Sequence, residues 1–92
     1  MAVKRWPYKD PNEKLDYDVE WIDRLGDDTI VDSVFTVVSG SVEIDSNSET
    51  EVTTTVWLTG GEIGEECEVL NRITTAAGRI MDQTTYVKIR KK

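Results

Sequence analysis

An all-β fold, an antiparallel sandwich of six to seven strands, is what this sequence predicts, and three observations carry that prediction. Valine, isoleucine and threonine number 11, 7 and 11, while leucine and alanine number only 4 and 3. β-branched side chains lose rotamer freedom in a helix and pack well on a pleated surface. Several segments place apolar residues at every second position, the period of a strand with one buried face. Turn segments recur roughly every eight to twelve residues, the spacing of a sandwich with hairpin and Greek-key connections. A chain of 92 residues builds one core, so the strands belong to one domain.

The opening KRWPYKDPNEK has two prolines and clustered charge. It reads as an extended arm, residues 1–11, ahead of a single sandwich domain, residues 12–92. Leu15, Tyr17, Val19 and Trp21 then alternate with Asp16, Asp18 and Glu20, the clearest one-sided strand in the chain. IDRLGDD follows as a short turn with room for one helical turn, Leu25 folding back over the core and Gly26 free to take a positive φ. In TIVDSVFTVV, Ser33, Phe35 and Val37 share one face and Val34, Thr36 and Val38 the other. The periodicity leaves open which face is inner; Phe35 is expected in the core because a single large aromatic contributes heavily to burial.

Ser39 and Gly40 turn the chain into a short strand, SVEI, and DSNSET supplies the polar residues of a loop. From Glu51 to Thr59, Val52, Thr54, Val56 and Leu58 face inward. GGEIGEE is a glycine-rich loop; it lacks a P-loop lysine and a following helix, so it does not read as an anion cradle. In CEVLNRITT the inward set is Cys67, Val69, Asn71 and Ile73, AAGR makes a hairpin turn, and Thr85, Val87 and Ile89 line the inner face of the last strand. The sum is an immunoglobulin-like or fibronectin III-like sandwich.

Composition excludes several function classes. There is no histidine, and the single Cys67 cannot close an internal disulfide, so Ser-His-Asp triads, Cys-His dyads and zinc clusters are absent. Cys67 itself reads as a small buried hydrophobe. No stretch approaches the roughly 20 apolar residues that span a bilayer, and the N-terminal segment has no apolar core of a secretory signal. No membrane partner is expected, and intracellular synthesis is. The net charge of −7 is uneven: residues 1–14 carry +2, residues 15–85 carry −13 and residues 86–92 carry +4. An acidic body repels phosphate, so nucleic acid is not an expected partner either.

The acidic residues Asp16, Asp18, Glu20, Asp23, Asp27, Asp28 and Asp32 invite a calcium reading, but strand positions i, i+2 and i+4 spread over roughly 13 Å and do not converge as a binding loop does. A solvated polar face is the expectation, with no metal and no cofactor. Carboxylate pairs for hydrolysis occur on any acidic surface, and no catalytic residue is assigned. The residues singled out for protein contact are Arg5, Trp6, Tyr8 and Trp57, since rigid aromatics and arginine are enriched at interface centres. Trp6 and Tyr8 either dock on a neighbour or cover the open end of their own sandwich. Trp57 is either a lid on a sheet edge or a second contact point.

The segments KRWPYKDPNEKLDYDVEW, GDDTIVDSVFTV and TTTVWLTGGEIGEECEVLNRITTAAGRIMDQ, followed by a basic last strand, resemble in the same order a family of small tailed-phage and prophage structural proteins, the phage fiber-tail adaptors. The resemblance covers nearly the whole chain. It departs at Cys67, where an aromatic commonly opens the penultimate strand, so packing of the tyrosine-corner type is not expected here. The resemblance implies a non-enzymatic virion structural or assembly protein of the head-tail or tail region. Its implied partners are other phage structural proteins and, in the particle, further copies of itself, engaged through the arm and an exposed edge strand. The alternative from another class is an immunoglobulin-like module that recognises carbohydrate or a surface protein, with Trp57 and the loops as its contact surface.

Overall fold

A computed structural model describes residues 4–92. The chain runs β1 (Lys4–Lys9), β2 (Leu15–Glu20), α1 (Ile22–Leu25), β3 (Ile30–Ser39), β4 (Val42–Glu49), β5 (Thr53–Gly60), β6 (Glu66–Thr75) and β7 (Ile80–Ile89). The strands form two sheets, ordered β1-β7-β6-β3 and β2-β5-β4. The all-β expectation holds, and every pairing is antiparallel except that of β1 with β7, which is parallel.

Alternation in the sequence becomes burial between the sheets. Tyr17, Val19, Val56 and Leu58 meet Phe35, Cys67, Val69, Ile73, Val87 and Ile89 in one core. On β3 the inner face carries Ser33 and Phe35, while Val34 and Val38 are exposed. α1 is a single turn that returns Leu25 to the core, and it ends at Gly26 with φ 63°.

A polar network sits inside this apolar interior. The Trp21 indole N–H donates to Thr54 Oγ1 and to Asn71 Oδ1, both at 3.1 Å. The Thr54 hydroxyl also donates to Asn71 Oδ1 at 2.5 Å, and Asn71 Nδ2 donates to Ser33 Oγ at 2.9 Å and to the Val34 carbonyl at 3.2 Å. The network ties β5 of one sheet to β6 and β3 of the other, so it fixes their relative register as well as satisfying its members.

Two segments differ from the sequence reading. DSNSET, expected as a loop, is mostly strand: β4 runs on to Glu49, with Ser46 opposite Trp57 and Ser48 opposite Thr55 on β5. A polar edge strand shows no apolar alternation, because neither of its faces is covered. The segment read as an arm lying outside the strands forms β1, with Arg5 beside Tyr86 and Trp6 beside Val87; its first three residues lie outside the described residues. Pro7 sits where the register shifts between Trp6 and Lys9, on an edge strand that tolerates a missing donor.

One turn is restricted by a close approach. Gly40, between β3 and β4, has φ 101°, and a Cβ there would fall inside contact distance of the Cys67 side chain. Only glycine fits both the backbone conformation and the space.

Candidate protein-contact surface

The surface begins where β1 adds to β7. Strand geometry sends alternate side chains to opposite faces, so Tyr86 and Lys88 point outward from β7 while Thr85, Val87 and Ile89 point in, and exposed Arg90 follows directly after the strand. On β1, Arg5 lies beside Tyr86, with its guanidinium 5.8 Å from the ring centroid, and it forms an ion pair with Glu66 on β6. Farther along, the Arg90 guanidinium lies 4.7 Å from the centre of the Tyr8 ring, and Tyr8 is 51% exposed. Arg5, Trp6, Tyr8, Glu66, Tyr86 and Lys88 line an open depression of about 330 Å³, with Arg90 reaching it only through its contact with Tyr8. Cation–aromatic contacts at exposed positions are weak attractions that favour these placements of the rings and guanidiniums.

Trp6 faces the other way. Its ring stacks on Tyr17 with centroids 4.9 Å apart and planes inclined by 17°, and its indole N–H donates to the Asp18 carbonyl at 3.0 Å. The Tyr17 hydroxyl donates back to the Pro7 carbonyl at 3.1 Å. Burial and the neighbouring acids Glu13 and Asp16 push the Tyr17 phenol up to about 12. Trp6 therefore closes the side of the sandwich between β1 and β2, and its free edge borders a smaller cleft of about 210 Å³ that reaches Lys4, Asp18 and Glu20.

Lys9 anchors the end of β1. It is fully buried, and its ammonium donates to the Gly60 carbonyl at 2.6 Å and to the Asp10 carbonyl at 3.0 Å. Desolvation holds its pKa below the usual lysine value, against the pull of Glu13 and Asp10. A sequence reading sees Lys9 only as one more charge in a basic segment. Its burial follows from the parallel pairing with Ile89, which no local pattern signals.

Trp57 stands on the outer face of the second sheet, opposite Asp16 on β2 and Ser46 on β4, and is 38% exposed. Lys14 Nζ lies 5.9 Å from its ring centre and 3.0 Å from Asp45. The structure thus brings Arg5, Trp6 and Tyr8 together and leaves Trp57 on a separate, acidic face. Tyr86, Lys88 and Arg90 complete the first group; their outward period on the last strand was legible, but their proximity to β1 was not.

The remaining chemistry-bearing groups are occupied structurally. Asp18 and Glu20 accept hydrogen bonds from Thr55 at 2.7 Å and Thr53 at 2.9 Å. Cys67 is buried, and desolvation pushes its thiol up. Among the described residues no group of three or more His, Cys, Asp or Glu side chains is placed to hold a metal ion, and no buried side-chain nitrogen or oxygen lacks a partner. No helix among them is long and apolar enough to cross a membrane.

These features define a class: a small two-sheet β protein whose interior is closed and whose distinctive groups point outward. Residues 9–88 match the family described as podophage GP4 fiber-tail adaptor protein gp77, and the chain belongs to that family of phage tail-associated proteins. No curated protein matches it.

Proposed function

We propose that this chain is a non-enzymatic structural component of a phage tail or head-tail region that works by protein–protein contact, its contact surface being the outer side of β1 and β7. The observation that carries the reading is the exposed cluster in which Arg5 lies over Tyr86 and Arg90 over Tyr8, with Arg5, Tyr8 and Tyr86 lining one depression. Tyrosine supplies large contact area at few rotatable bonds and arginine supplies several hydrogen-bond donors, and both are enriched among the residues that dominate interface energetics. Family membership supports other phage structural proteins as the partners.

The scaffold is read as immunoglobulin-like. β2, β5 and β4 share one sheet and β3, β6 and β7 the other, the strand partition of that architecture, with β1 placed against β7 instead of β2. Such a sandwich presents its outer faces and edges while the core stays closed, which suits a spacer between larger parts.

The test is incorporation into particles. Tyr8→Glu and Arg5→Glu, both at exposed positions, are expected to lower the amount of the protein in purified particles, by mass spectrometry, by about tenfold or more, with far-ultraviolet circular dichroism unchanged. Particles that carry the doubly substituted protein at the normal level would exclude this surface. Absence of the unaltered protein from mature particles would exclude the structural role itself and leave an assembly factor that departs.

A further inference from the structure

The fold gathers the positive charge of a negative chain. The two basic segments, residues 1–14 and 86–92, lie at opposite ends of the sequence, and residues 15–85 between them carry −13. Parallel pairing of β1 with β7 sets Lys4 beside Thr85 and Arg5 beside Tyr86, so both segments share one edge of the sandwich. Some of their charges are settled internally: Arg5 pairs with Glu66, Lys14 with Asp45 and Lys92 with Glu13, and Lys9 is buried against carbonyls. Lys4, Lys88, Arg90 and Lys91 are exposed and have no carboxylate partner among the described residues. Against them on the same side stand Glu66, already taken by Arg5, and Glu68, opposite Tyr86 on β6.

The arginines single out one position. Arg5 hydrogen-bonds to Glu66, Arg24 to the Asp82 carbonyl at 2.9 Å, and Arg79 to Asp28 at 3.0 Å and the Leu25 carbonyl at 2.8 Å. Arg72 holds the Asp82 carboxylate in a fork of two bonds, 2.8 and 2.9 Å. The Arg90 guanidinium lies over the Tyr8 ring and has no oxygen partner among the described residues. Stacking engages the face of a guanidinium and leaves its N–H edge open to a planar acceptor.

We infer, on the reading of β1 and β7 as the contact surface, that the partner presents an acidic protein segment there. One of its carboxylates takes the N–H edge of Arg90 beside Tyr8, as Asp82 takes Arg72, and neighbouring acids face Lys88 and Lys91. Charge selects this occupant. A nucleic acid carries a phosphate at every residue and would run past the basic edge onto the acidic body, whereas a short acidic segment need reach only the edge. A second copy carries −7 as a whole and is repelled, so the segment belongs to another protein.

Amide NMR spectra of the full chain, titrated with a short glutamate-rich peptide and with the same peptide carrying glutamine, test this. Saturable shifts at Tyr8, Tyr86, Lys88 and Arg90 are expected for the glutamate peptide alone, with Kd on the order of 0.1–1 mM at low salt and weaker binding as salt rises. Arg90→Glu is expected to weaken binding about tenfold. Arg90→Lys keeps the charge but loses the planar fork, and is expected to weaken it about threefold. Thermal melting checks that both stay folded. Shifts centred elsewhere, binding indifferent to Arg90→Glu, or a single-stranded DNA oligonucleotide that binds more tightly than the glutamate peptide overturns the inference. So does self-association in sedimentation velocity that Arg90→Glu abolishes, which would make a second copy the occupant. Incorporation into particles separates the acidic partner from the surface itself. Tyr8→Ala removes contact area, Lys88→Gln combined with Arg90→Gln removes charge, and both are expected to lower incorporation. Loss with Tyr8→Ala alone keeps the surface and overturns the acidic partner; loss with neither overturns both.

Discussion

Asn71 is the residue through which the two layers speak to each other. It is 1% exposed, its amide oxygen takes two hydrogen bonds and its amide nitrogen gives two, so its polar valences are used. Buried polar groups are costly when a partner is lost, because the remaining groups keep their desolvation penalty. Asn71→Leu fills a similar volume but strands the Thr54 hydroxyl hydrogen and the Ser33 hydroxyl oxygen, and it leaves the Trp21 indole N–H with Thr54 Oγ1 as its one acceptor. The expected loss is about 2–4 kcal/mol in urea unfolding; a loss below roughly 0.5 kcal/mol would mean that the network is decorative. Asn71 also illustrates what sequence does reveal. Its inward position was legible from Cys67, Val69 and Ile73 on the same face, and so were the inward positions of Trp21 and Thr54, whereas that of Ser33 hung on placing Phe35 inside. Their convergence on one another depends on how the two sheets are superposed, and alternation within a strand carries no information about that.

At the scale of elements, β2, β5, β6 and β7 were legible because each buries one face and exposes the other. β3 was legible as a strand but ambiguous in facing, since valines occupy both sides; the exposed Val31, Val34 and Val38 blur the alternation. β1 and the distal half of β4 were not legible. β1 gains its strand character from a parallel partner about eighty residues away, and β4 from an edge that stays in solvent on both faces. Two carboxylates bind the elements together at the turns, and both can be tested by pH. Asp28 accepts from the amides of Thr29 at 2.9 Å and Ala77 at 3.1 Å and from Arg79 at 3.0 Å, joining the start of β3 to the β6–β7 hairpin. Hydrogen bonding from Thr75 in the first place, then from these groups, lowers its pKa to about 2. Glu65 accepts from the Ser41 hydroxyl at 2.5 Å and from the amides of Ser41 at 3.0 Å and Glu62 at 2.9 Å, and is likewise lowered to about 2, with the Ser41 hydroxyl the largest cause. Both carboxyls are more acidic folded than unfolded, so their stabilisation is fully present above the unfolded values of 3.8 and 4.5 and is lost as pH falls toward about 2. Thermal melting temperature should therefore fall steeply between about pH 4.5 and about pH 2. Glu65→Gln should flatten the upper part of that fall and Asp28→Asn the lower part; parallel curves for both variants and the parent would assign the acid sensitivity to other carboxylates.

For the whole molecule, the question is whether the N-terminal segment is an appendage for docking or a part of the fold. Geometry gives its two ends and its two faces different duties. Lys9 is sealed inside beside the Gly60 carbonyl, and the Arg90 amide donates to the Lys9 carbonyl at 2.8 Å. Trp6 covers Tyr17 and the edge of β2, whereas Arg5 and Tyr8 look outward over Tyr86 and toward Arg90. Removing residues 1–9 would therefore do more than remove a contact: it uncovers the edge of β7, exposes the Tyr17 ring and leaves the carbonyls of Gly60 and Asp10 without their ammonium. The expected cost is about 3 kcal/mol or more, seen as a fall in melting temperature of at least about 10 °C. Tyr8→Ala, which alters only the outer face, should shift melting by no more than about 3 °C. If the truncated protein melts like the parent, the segment is an appendage after all and its truncation becomes a clean probe of docking. If it is strongly destabilised, any loss from particles on truncation reports folding, and only substitutions on the outer face, at Arg5 and Tyr8, separate what this strand does for the sandwich from what it does for a partner.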